Sequence, residues 1–131
     1  VANVKVPDDL RYSADHEYVK TTQEPGVFTI GVTDYAQGEL GDVVYLNLPK
    51  AGDHFDAHQV FGTIEAVKAV SDLYCPIAGT VVAVNAGLDA DPAAVNRAPY
   101  DDGWMIRLKA DDPASLEGLL TAAAYRTQIG A

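Results

Sequence analysis

The chain is 131 residues long, 48% hydrophobic and 21% charged, which suits one compact domain with a single core and is tight for two. Nine Lys and Arg against nineteen Asp and Glu leave a net charge of −10. That balance disfavours nucleic-acid binding and fits either a solvated acidic surface or attraction to basic faces on partner proteins. No apolar run approaches the length that crosses a bilayer, and residues 1–5 lack signal-peptide organisation, so no membrane partner is expected.

Pro25-Gly26 marks an early turn. Residues 33–40 predict a short helical turn in the N-terminal part of the chain. After Gly41, Val43-Val44-Tyr45-Leu46-Asn47-Leu48 is a strand-like run, closed by the turn residues Pro49-Lys50-Ala51-Gly52-Asp53. His54 and His58 lie four apart near Asp53 and Asp56, a spacing that occurs in metal sites. No cysteine or third histidine follows at ligand spacing and His16 is remote, so no metal is expected.

Two apolar runs then flank Val67-Lys68-Ala69, which predicts a β-hairpin over 60–82 with a lysine at its exposed tip. Cys75, the single cysteine, excludes an internal disulfide framework and fits a reducing compartment. Its apolar setting, Tyr74-Cys75-Pro76-Ile77, predicts a buried, inert thiol. Gly79 leads into a further strand at 81–84. After Asp101-Asp102-Gly103, the run 104–109 alternates with period two and places Trp104, Ile106 and Leu108 on one face. Residues 112–129 read as helical: Asp112 caps a helix starting at Pro113 with Leu116, Leu119, Leu120 and Ala123 as its apolar stripe, or Thr121 caps a second helix through residue 126.

Many short strands at close spacing make the chain mostly β, a flattened barrel or β-sandwich with a short N-terminal helix and C-terminal helices, in one domain over 1–131. An internal repeat agrees: Gly41-Asp42-Val43-Val44-Tyr45-Leu46-Asn47 aligns with Gly79-Thr80-Val81-Val82-Ala83-Val84-Asn85. Upstream, Phe28-Thr29-Ile30-Gly31 precedes the first copy as Gly62-Thr63-Ile64-Glu65 precedes the second. Two such β units packed face to face bury one continuous core, although Val-rich strands also resemble one another by chance.

A lysine at a turn is by itself an ordinary solvated residue. At a hairpin tip it is also what a covalent carrier needs, because the modifying enzyme and every later partner must reach one amine. Amide formation with a carboxylic cofactor would remove its charge and leave a long arm, so that the cofactor does the chemistry and the protein supplies position.

The surrounding residues resemble the lipoyl attachment region of glycine cleavage H proteins, whose pattern runs approximately Glu-Ser-Val-Lys-Ala-x-Ser-Asp-x-x-x-Pro-x-x-Gly. Here it stands as Glu65-Ala66-Val67-Lys68-Ala69-Val70-Ser71-Asp72-Leu73-Tyr74-Cys75-Pro76-Ile77-Ala78-Gly79. The likeness extends to Tyr12-Ser13-Ala14-Asp15-His16-Glu17-Tyr18-Val19, Gly31-Val32-Thr33-Asp34-Tyr35-Ala36-Gln37 and Leu40-Gly41-Asp42-Val43-Val44-Tyr45. It continues through Val95-Asn96, Pro99-Tyr100, Gly103-Trp104-Met105 and Ala124-Tyr125. Ala66 stands where serine is usual, Tyr18 where tryptophan is common, and Ala98 where a polar residue is usual. None of these removes the acceptor lysine.

The resemblance implies a lipoyl/biotinyl-type barrel-sandwich and a carrier that is not itself an enzyme. Lipoate would be attached covalently to Lys68. The partners implied are glycine decarboxylase (P protein), which uses pyridoxal phosphate; the folate-dependent aminomethyltransferase (T protein); dihydrolipoamide dehydrogenase (L protein); and lipoate-attaching enzymes. An aminomethyl group carried between the first two bears an ammonium and must be shielded from water, and carboxylates receive such a group by charge-assisted hydrogen bonds. By position in the motifs these are Glu17 and Asp72, with Asp15 adding negative charge. Bacterial cytoplasm is implied, or the mitochondrial matrix if a transit peptide has been removed.

Other swinging-arm carriers compete. Lipoyl domains of 2-oxo acid dehydrogenases and biotinyl domains are usually shorter, and a biotin acceptor is commonly flanked by methionines, whereas Lys68 is flanked by Val67 and Ala69. A relative that relays lipoyl groups to other enzymes would keep Lys68 and remains an alternative. A small hydrolase lacks support, since no Ser-His-Asp or Cys-His arrangement and no phosphate-cradling glycine loop is present.

Overall fold

In the computed structural model, which describes residues 4–131, the chain forms two antiparallel sheets. Residues 1–3, on which the reading of the N-terminus partly rests, lie outside the described residues. In chain order the elements are β1 (Arg11–Tyr12), β2 (Glu17–Thr21), β3 (Val27–Val32), α1 (Asp34–Leu40), β4 (Val43–Asn47), β5 (His54–Phe55) and β6 (Val60–Ala66). There follow β7 (Val70–Tyr74), β8 (Gly79–Val84), α2 (Gly87–Ala90), α3 (Ala94–Arg97), β9 (Ile106–Ala110), a 3-10 turn (Pro113–Gly118) and α4 (Ala122–Ile129). One sheet runs β1-β2-β3-β9-β8-β5 and the other β4-β6-β7.

Both sheets turn alternate apolar residues inward. Val19, Phe28, Ile30, Val81, Ile106 and Leu108 from the larger sheet meet Val43, Leu46, Phe61, Ile64 and Leu73 from the smaller in one cluster. The repeated segments lie in opposite sheets, β3 and β8 in the larger, β4 and β6 in the smaller. The two units therefore interlock across the core and neither builds a sheet of its own. A second cluster, with Val6, Leu10, Tyr12, Tyr18, Ala122, Tyr125 and Ile129, joins the N-terminal segment to α4.

Three sequence expectations change. The hairpin is β6–β7 and ends at Tyr74, not at 82, because after Pro76 the chain crosses to the larger sheet, where β8 pairs with β9. Trp104 leaves the inward face of the last strand: β9 begins at Ile106, and the inward alternation is Ile106, Leu108 and Ala110. Asn85 Nδ2 donates to the carbonyls of Asp102 and Trp104 (2.9 and 2.8 Å) and holds that segment in a turn, while Arg107 covers the Trp104 ring at 4.2 Å. In the C-terminal segment the Asp112-capped stripe changes, while the second helix capped by Thr121 is present. Leu120 is drawn into a backbone bridge with Tyr12 (2.9 and 2.8 Å), so the Asp112-capped piece stops as a 3-10 turn and Thr121 caps α4. The buried stripe of α4 is Ala122, Tyr125 and Ile129, and Ala123 is exposed. None of the described helices is long and apolar enough to cross a membrane.

Candidate functional site

The hairpin tip is built by local sequence. Cross-strand pairing runs from Val60↔Tyr74 to Glu65↔Val70, Ala66 N–H donates to Ala69 O (2.8 Å), and Val67, Lys68 and Ala69 are exposed. The tip is tied down from one side. Val67 N–H donates to Asp42 O (2.9 Å), and Asn96 clamps the segment around Asp42 by accepting from Val43 N–H and donating to Gly41 O, both at 2.9 Å. The Asn96 of the sequence motif is thus a positioning residue for the loop on which the tip rests.

Gly41 shows why this loop needs a glycine. Its φ of +82° disfavours any side chain, and a Cβ there would sit 3.3–3.4 Å from Lys68 Cγ, Cδ and Cε. The lysine stem therefore runs across the end of α1. Among the described residues no carboxylate lies within ion-pair distance of Lys68.

A cleft of about 250 Å³ opens beside that helix. Asp15, His16 and Glu17 line it from the β1–β2 turn, Tyr35, Glu39 and Leu40 from α1, and Ile64, Ser71, Asp72 and Leu73 from the hairpin. The three acids nominated from sequence thus share one cavity, and Leu40 on its wall directly precedes the glycine under Lys68. Lys68 itself does not line it. Glu39, a fourth carboxylate, escaped the sequence reading because nothing in its local pattern distinguishes it from a solvated helix residue. Among the described residues no Lys or Arg lines the cleft, so its field is negative.

Glu17 differs from its neighbours. It is 2% exposed, whereas Asp15 and Asp72 are exposed. Its Oε1 accepts from the Ser13 hydroxyl at 2.6 Å and its Oε2 from Tyr74 N–H at 3.3 Å. Burial pushes its carboxyl up to about 8, against the lowering effect of those two donors. The turn that presents it is closed by Ser13: Ser13 N–H donates to Glu17 O, His16 N–H to Ser13 O, and Glu17 N–H to Ser13 Oγ. Sequence reasoning missed Ser13, although a serine four residues before a buried acid is a recognisable turn signal.

Elsewhere the sequence candidates separate. His54 Nε2 pairs with Asp111 at 2.7 Å, while His58 Nδ1 lies 4.0 Å from Asp15 Oδ2. Among the described residues no group of three or more His, Cys, Asp or Glu is placed to hold a metal ion. Cys75 is fully buried, its Sγ–H donates to Ile77 O (3.1 Å), and burial pushes the thiol up to about 12. A larger, shallow hollow of about 800 Å³ lies over Lys20, Thr29, Trp104 and Arg107, and none of the nominated site residues lines it.

Residues 10–130 match the family model described as Glycine cleavage H-protein. A relative from Opitutus terrae, named Glycine cleavage system H protein, is 55% identical over 125 residues, covering 95% of this chain and 98% of that protein. One of the same name from Chlorobium limicola is 51% identical over 127 residues, covering 97% and 99%. Among solved structures, a glycine cleavage system H protein from Mycobacterium marinum superposes with a TM-score of 0.87 at 35% identity, covering 96% of this chain and all of that one.

Proposed function

The chain belongs to the family of glycine cleavage H proteins, and from that premise we propose that Lys68 is the residue to which its lipoate is attached in amide linkage. The family's role is the chain's own: a lipoyl carrier of the glycine cleavage system that shuttles the aminomethyl group of glycine and is not itself catalytic. The observation that carries the proposal is the placement of an exposed lysine, without an ion-pair partner among the described residues, whose stem lies against the end of the helix that walls an acidic cleft. These residues fit the group: a free amine for the linkage, an apolar wall from Leu40, Ile64 and Leu73 for a hydrocarbon arm, and carboxylates for a cationic end.

Bound lipoate supplies the redox-active sulfur pair. The chain's residues position and shelter what it carries. Glu17, uncharged when alone at neutral pH, ionises as an ammonium approaches, since a cation in contact favours the carboxylate. Asp72 and Asp15 add negative charge at the exposed side of the cleft. The whole of 1–131 acts as one carrier domain in a bacterial cytoplasm. It serves glycine decarboxylase, the aminomethyltransferase and dihydrolipoamide dehydrogenase in turn, after modification by a lipoate-attaching enzyme.

Intact mass and peptide mapping after co-expression with a lipoylating enzyme test the attachment. One lipoyl group is expected on Lys68, and none on Lys5, Lys20, Lys50 or Lys109. An unmodified Lys68 overturns the proposal. Reconstituted glycine-dependent exchange with the partner enzymes separates this role from a lipoyl relay.

A further inference from the structure

Thr33 caps the N-terminus of α1 and is fully buried. Its hydroxyl has two neighbours, the N–H of Ala36 at 3.2 Å, which can only donate, and the Tyr125 hydroxyl at 2.7 Å. The Thr33 proton must therefore go to the Tyr125 oxygen. Tyr125, also fully buried, then directs its own proton to its remaining partner, His16 Nδ1, at 2.8 Å. A ring nitrogen that accepts from a phenol carries no proton, so the neutral imidazole holds its proton on Nε2. Burial lowers the His16 pKa further, opposed by Asp15 and Glu39.

The ring is also fixed in space. His16 has φ +71°, its carbonyl accepts from Thr33 N–H (3.0 Å), and its imidazole packs on Tyr35 at 5.0 Å. His16 lines the cleft and Tyr125 does not, and Nε2 is the ring nitrogen that the bond to Tyr125 leaves free for an occupant of the cavity. The titratable groups facing it are Asp15 and Glu17 from its own turn, Tyr35 and Glu39 from α1, Asp72 from β7 and Tyr125 from α4. Four of these are carboxylates, which favour an imidazolium; the tyrosine donor opposes one. An imidazolium here would repel an ammonium beside it, whereas a neutral N–H would not.

We propose that His16 is a further binding residue of the arm cleft. The directed chain Thr33–Tyr125 holds it as a neutral Nε2–H donor to an uncharged acceptor on the arm, a sulfur or the amide oxygen. The proposal rests on the reading of the cleft as the arm's shelter.

The first test needs no arm. In 15N-labelled unloaded protein, His16 should show an unprotonated Nδ1 and a protonated Nε2 at neutral pH, and should titrate below an ordinary histidine. Tyr125→Phe should give mixed tautomers and raise that titration. An Nδ1–H tautomer in the unaltered protein, or no change in Tyr125→Phe, overturns the proposal. In loaded protein, His16→Asn, which tolerates the left-handed backbone, should shorten the lifetime of the carried group about fivefold, the worth of one hydrogen bond. Tyr12→Phe is the structural control: it loses a bond to Pro7 O and perturbs the ring stacked on Tyr125 at 4.7 Å without touching His16, and should leave the lifetime unchanged. An equal loss in Tyr12→Phe, or a loss in Glu17→Gln with none in His16→Asn, refutes the His16 role and leaves the cleft standing. No loss in any of these variants removes the cleft reading itself.

Discussion

Replacing Glu17 by Gln should remove the pH dependence of stability that this residue imposes. The Glu17 carboxyl moves from its ordinary 4.5 to about 8 on folding. Between those values the folded chain holds a proton that the unfolded chain has released. The stability that Glu17 contributes is therefore greatest below about 4.5, falls as pH rises, and levels off above about 8. At about 1.4 kcal/mol per pH unit, the whole interval sets a ceiling of about 5 kcal/mol, of which about 4 kcal/mol falls between pH 5 and pH 8.

Glu17→Gln keeps the shape of the side chain and an oxygen to accept from Ser13. It places an amide N–H₂ opposite Tyr74 N–H, where the carboxylate accepted at 3.3 Å, a loss of about 1 kcal/mol. The variant should be about 1 kcal/mol less stable than the unaltered protein at pH 5 and about 3 kcal/mol more stable at pH 9, with the curves crossing near pH 6. Urea unfolding at fixed ionic strength, stepped from pH 5 to pH 9, reads the difference directly. The burial-raised tyrosines and Cys75 titrate above this range and contribute equally to both proteins. Parallel profiles for the two would refute the assignment of a buried, proton-holding carboxyl to Glu17.

Gly41→Ala forces a side chain to φ +82° and against the Lys68 stem; a loss of at least about 1 kcal/mol is expected, read as a lower urea midpoint, together with slower lipoylation in a time-course by mass spectrometry. Unchanged values for both would show that the glycine is not needed there. Asp72→Asn should hasten loss of the carried group from loaded protein while leaving the free energy of urea unfolding within about 0.5 kcal/mol, because Asp72 is exposed. A large stability loss would make Asp72 a structural residue.

What could be read from sequence was what local pattern encodes. The helical turn over 33–40, the second helix capped by Thr121, the strands after Gly41 and Gly79, and the exposed tip at Lys68 follow from capping, alternation and turn chemistry over a few residues. The misses came where a distant partner overrode that pattern. Leu120 sits in a helical-looking stripe but pairs with Tyr12, and Trp104 sits in an alternating run but is held back by Asn85. The hairpin was extended to 82 because 81–84 is equally strand-like, and only the crossover after Pro76 shows that it serves the other sheet. At the site, the motifs placed Asp15, Glu17 and Asp72 together. They gave no sign that Glu17 alone would be buried, since its burial depends on Tyr74 and Ser13 closing over it.

That difference in burial divides the work within the cleft. Exposed carboxylates such as Asp15 and Asp72 act on a cation through water, and their attraction is screened beyond about 8–10 Å at physiological salt. Glu17 acts over a hydrogen-bond length in a dry setting, where a charge-assisted bond is about twice as strong as a neutral one. On the proposed reading, the exposed acids draw the cation toward the seam between the sheets, and Glu17 holds it there. The burial suits that order, because Asp72 is exposed on the same hairpin as Lys68, while Glu17 reaches from the larger sheet into the buried seam beside Tyr74. An arm that reaches the Glu17 carboxyl, which is bonded to Tyr74 N–H of that hairpin, lies in the seam between the sheets beside α1, the helix that also supports the lysine it hangs from.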